Sequence, residues 1–71
     1  MEKIIVIVGY FPTSRVYYAK IARSDERARD WKEKWTSEGG KVAVGKMFYV
    51  SGEREKAYIS LKEKLIKEIK K

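Results

Sequence analysis

Six basic residues, Lys3, Arg15, Lys20, Arg23, Lys41 and Lys46, stand in two stretches that contain no acid. Residues 3–24 hold the first four and residues 39–52 the other two. Together they supply six of the formal net charge of +7. A one-signed run of Lys and Arg attracts a polyanion and contacts its phosphates. Four aromatic residues fall within the first stretch, Phe11 and Tyr18 among them. Aromatic side chains beside fixed positive charge suit unpaired bases, which stack on the rings while lysines and arginines hold the backbone. Phosphate contacts are therefore expected from the six basic residues, and base stacking from Tyr18 and Phe11.

Other chemistry is excluded by what the chain lacks. It has no histidine and no cysteine. The commonest general base, the commonest transition-metal ligand and the thiol nucleophile are thus missing. No catalytic residue, cofactor or metal ligand is expected, and the chain does not read as an enzyme. Asparagine and glutamine are also absent, while 38% of residues are charged. That composition is the one expected of a hyperthermophile, archaeal-type protein.

Three apparent motifs have plainer readings. Residues 40–46 match G-x4-G-K, but Met47 stands where a phosphate-binding loop needs Ser or Thr, and the intervening β-branched residues read as strand. Asp25, Glu26, Asp30 and Glu33 are interleaved with Arg27, Arg29, Lys32 and Lys34, which describes a solvated, ion-paired helix face. Trp31 and Trp35 fall at helical spacing beside Ala28, as a core stripe does.

The elements that must position these residues follow from periodicity. At 71 residues the chain forms one small basic domain, 1–71. Ile4 to Val8 is an unbroken apolar run, fit for a central strand and too short to cross a membrane. No targeting segment is read there, so a cytoplasmic location and no membrane partner are expected. Pro12-Thr13-Ser14 signals a turn, and Val16 to Ala22 reads as a second strand. Ser24-Asp25-Glu26 opens a helix that ends at Gly39-Gly40. Val42 to Val50 is a third strand, with a bulge at Gly45 as one way to turn Lys46 outward. A second helix follows Ser51-Gly52-Glu53.

The expected fold is α+β, in the order ββαβα, with a mainly antiparallel three-stranded sheet in the order 2-1-3. Both helices are expected on one face. The hairpin register pairs Tyr10 with Tyr17 and Val8 with Ala19 on that face. Phe11, Tyr18 and Lys20 are then expected on an open opposite face around Gly9. This pattern points to a nucleic-acid-binding protein, with RNA ahead of DNA, within a ribonucleoprotein such as the ribosome. The competing expectation is a protein-interaction or homodimerisation module that pairs through the open face or the edge of the second strand.

Overall fold

A computed structural model describes residues 2–71. It contains β1 (Glu2–Phe11), β2 (Val16–Ala22), α1 (Asp25–Ser37), β3 (Lys41–Tyr49) and α2 (Arg54–Lys70). The sheet order is β2-β1-β3. β1 runs antiparallel to both neighbours, so β2 and β3 are parallel and α1 connects them across β1. The class, element order and strand order are those the sequence implies.

Each boundary has a local cause. Phe11 accepts a backbone hydrogen bond from Arg15 at 2.8 Å, which closes the hairpin turn. Arg15 takes up a left-handed conformation (φ 57°) to do so. The α1 N-terminus is capped by Ser24, whose hydroxyl accepts from the Arg27 amide at 3.2 Å. Gly39 (φ 92°) ends the helix in the left-handed region. No serine cap opens α2. There Gly52 (φ 91°) makes the turn, and the Glu53 amide donates to Val50 at 2.9 Å.

The register of β1 with β3 is continuous from Glu2–Tyr49 to Tyr10–Lys41. No bulge interrupts it at Gly45. Lys46 therefore pairs across Ile5, Phe48 lies across Lys3 on the same face, and Tyr49 takes the other.

The helices do not share a face, contrary to the arrangement expected from sequence. Ile4, Val6 and Val8 pack with Ala57, Leu61 and Leu65 of α2. Ile5 and Ile7 pack with Ala28 and Trp35 of α1. Alternate residues of a strand point to opposite faces, so α1 and α2 lie on opposite sides of the sheet. The physical reason is β1 itself. Five consecutive apolar residues expose side chains both ways, and each buried side chain is worth about 1.5–3 kcal/mol. One layer of helices would leave Ile5 and Ile7 in water. With both layers in place, Val6, Ile7 and Val8 have 0% exposure.

A glycine gives each helix a seat. A Cβ on Gly9 would stand 2.6 Å from Cε3 of Trp35, and one on Gly45 would stand 2.9 Å from Cδ1 of Leu61. Gly9 thus admits the Trp35 ring rather than a cross-strand tyrosine. Gly9→Ala is expected to lower stability by about 1–3 kcal/mol through overpacking, measured as the shift in urea midpoint. An unchanged midpoint would contradict the seating of Trp35 on Gly9.

Candidate nucleic-acid interface

Both helices favour the β1–β3 side of the sheet. On the α1 side, Val42 and Val44 of β3 pack with Ile5 and Ile7, while β2 contributes only Ala22 at its far end. On the α2 side, Leu61 and Leu65 sit over Gly45 of β3. β2 is left as an edge strand with little cover. Three of its apolar side chains, Val16, Tyr18 and Ile21, are exposed.

The residues expected to bind nucleic acid divide into three groups. Phe11, Tyr18 and Lys20 share the α1 face, as the hairpin register requires. Arg15 and Arg23 flank β2 at its two ends, one in the turn and one just past Ala22. These five form one continuous strip along β2. Lys3 and Lys46 lie on the α1 face at the opposite, β3 side, where Lys46 Nζ contacts Asp25 Oδ1 at 2.6 Å. Lys41 lies on the α2 face across from Tyr10. The face expected to be open is therefore half closed by α1, and it presents Tyr18 and Lys20 beside a helix instead of on a bare sheet.

That helix adds residues which spacing along the chain did not single out for binding. Trp31 of α1 lies beneath Lys20, whose Nζ is 3.6 Å from the ring centroid, and Lys34 Nζ is 4.9 Å from it. Such a cation over an indole is worth about 0.5–1 kcal/mol at an exposed site. It also holds Lys20 above an apolar surface with its charge toward solvent. Ala22, Arg23, Arg27 and Trp31 line a furrow of about 270 Å³. Arg27, Trp31 and Lys34 follow each other by four and three residues, one row of a helix. That row becomes meaningful only once α1 is known to lie beside β2.

At the turn end the strip opens into a hollow of about 350 Å³, bordered by Phe11, Tyr18, Trp35, Ser14 and Glu38. Tyr18 is 52% exposed there. Its ring meets Phe11 edge-on at 5.6 Å and Trp35 at 6.4 Å between centroids. Trp35 itself is buried and serves as the floor. Tyr18 is thus an exposed ring at this end of the strip, while Phe48 is exposed at the β3 side of the same face.

Among the described residues no group of three or more acidic residues is placed to hold a metal ion, and no helix is long and apolar enough to cross a membrane. No protein-family model matches the chain, and no match was found among curated proteins or solved structures.

The Asp25 carboxyl titrates below its ordinary range. The hydrogen bond from Lys46 holds its carboxyl below the ordinary value of 3.8, helped by the charges of Lys46, Lys3 and Arg29 and opposed by desolvation. A lowered folded-state pKa adds stability above the ordinary carboxylate range, and that contribution disappears as pH falls through the lowered value. Carboxyl NMR titration should place Asp25 below the ordinary range, and Lys46→Met should raise it toward that range. An Asp25 midpoint indifferent to Lys46→Met would contradict the pairing and return Lys46 to the set of free cations.

Proposed function

We propose that the protein binds single-stranded RNA along the α1 side of β2. The supporting observation is the strip on that side. Exposed Tyr18 stands beside Lys20, with Arg15, Arg23, Arg27 and Lys34 around it. Glu38 at the turn-end hollow is the one acid among the side chains lining this strip. Tyr18 supplies a stacking surface, Phe11 and Trp35 support its ring, and the cations follow the phosphates. RNA leads DNA because the reading surface is a sheet edge with a free aromatic ring. Neither helix presents a purely basic face to a major groove. An RNA bound within a ribonucleoprotein particle in the cytoplasm is the setting this reading favours.

A second reading rests on the exposure of Val16 (38%) and Ile21 (40%) on an edge strand. A second copy, or a strand from another protein, could extend the sheet there. Charge weighs against the self-paired form. In an antiparallel pairing centred on Ala19, Arg15 would sit opposite Arg23 of the second copy, and like charges directly opposite are destabilising.

Fluorescence anisotropy with labelled single-stranded RNA, duplex RNA and duplex DNA tests the proposal. Five cations on the strip predict a log–log salt slope of about −3.5 for single strands, roughly a hundred-fold loss of affinity between about 50 and 200 mM salt. Single-stranded RNA should bind most tightly. Equal, weak binding to all three would contradict the proposal and favour a protein partner. The double variant Tyr18→Ala/Lys20→Ala should weaken RNA binding roughly 10–100-fold, since stacking alone is worth about 1–3 kcal/mol per base. Its stability should fall by only about 1 kcal/mol, through lost aromatic contacts. Unchanged affinity in that variant would remove the β2 mechanism.

A further inference from the structure

Tyr17 and Tyr18 are neighbours on β2 and point to opposite faces. On the α2 face a second furrow runs between β2 and α2, open to solvent, with a volume of about 470 Å³. Its lining includes Tyr17 and Ala19 from β2, and Tyr58, Lys62, Ile66 and Lys70 from α2. The four helix residues recur every fourth position, so they form a single row along α2 facing the sheet edge. No carboxylate lines the furrow. Lys62 Nζ lies 5.6 Å from the Tyr58 ring centroid, and Lys70 Nζ lies 6.0 Å from that of Tyr17. The two lysines are about 12 Å apart along the helix axis. Tyr17 is further braced by Tyr10, with centroids 4.5 Å apart.

The chemistry resembles that of the α1 side, with lysines held over aromatic rings: Trp31 there, Tyr17 and Tyr58 here, and no counterpart here of Glu38. Only the thickness of one edge strand separates the two furrows. We infer that this second furrow binds the continuation of the same RNA strand, so that a long single strand wraps around the exposed edge of β2. Lys62 and Lys70 hold phosphates there, and Tyr17 and Tyr58 pack against sugars or bases. The inference rests on the RNA-binding reading of the α1 side and extends it in length and in path.

Oligonucleotide length separates the two furrows. Single-strand site sizes run from about 4 to about 16 nucleotides, so labelled RNAs of about 5 and about 15 nucleotides probe one furrow and both. The variant Lys62→Ala/Lys70→Ala is compared with Lys32→Ala/Lys64→Ala, which removes the same charge from exposed positions outside the furrow. Losing two single-strand phosphate contacts should lower affinity for the long RNA roughly tenfold and flatten the salt slope by about 1.4. Binding of the short RNA should change little, as should both RNAs with the control variant. Equal affinity and slope for the furrow variant and the control on the long RNA would overturn the wrapping path. If the short RNA still binds in that case, the α1-side reading stands. If neither RNA binds the unmodified protein, both fall. Poly-glutamate bound as tightly as RNA, with the same loss in the furrow variant, would also overturn the inference and make the furrow a site for acidic protein.

Discussion

The middle strand must be kept from water on both faces. Ile4, Ile5, Val6, Ile7 and Val8 are all buried, and a strand directs successive side chains to opposite sides. Two helices are available, and each covers one side. Everything else in the structure follows from that division. Trp35 seats on Gly9 from one side, and Leu61 and Leu65 seat on Gly45 from the other. Among the described residues both helices, α1 and α2, are committed to these seats. With α1 and α2 centred over β1 and β3, β2 is the less covered of the two edge strands, although Phe48 of β3 is 66% exposed.

The exposed margin is the part of the molecule with the most one-sided charge. Lys20, Arg15 and Arg23 sit on or beside β2, Arg27 and Lys34 approach from α1, and Lys62 and Lys70 approach from α2. Away from this margin Lys46 pairs with Asp25, and Lys56 with Glu53. An edge strand guarded by a lysine also resists pairing with its own kind. Exposed rings, unmatched cations and a guarded edge are together better suited to a nucleic acid strand than to a second copy of the chain.

Much of this was legible in the residues. The hairpin register followed from Pro12-Thr13-Ser14 and from the facing tyrosines, and Phe11, Tyr18 and Lys20 fall on one face as alternation requires. Ser24 caps α1 as its position before Asp25-Glu26 implies. The side of the sheet that each helix covers was not legible from either helix, because an amphipathic stripe does not say which face it meets. The all-apolar run of β1 carried that information, since only two-sided cover satisfies Ile5 and Ile7 as well as Ile4 and Val6. The site was mis-sized for the same reason. Lys3, Lys41 and Lys46 belong to the acid-free stretches in sequence, yet β3 carries two of them away from β2, and Lys46 meets Asp25 across a tertiary contact. Trp31 and Lys62 become candidates only when α1 and α2 are placed on either side of the edge strand.

The most direct test is an NMR titration of the isotope-labelled protein with a single-stranded RNA. The largest amide shifts should fall on β2 and its end, from Tyr17 to Arg23, and the Trp31 indole N–H should move with them at the same RNA concentrations. Amides of β3 around Lys46 and Phe48 should stay in place. Shifts centred on Lys3, Lys46 and Phe48, or no shifts at concentrations where a polyanion should bind, would contradict the claim that the less covered edge strand is the binding surface.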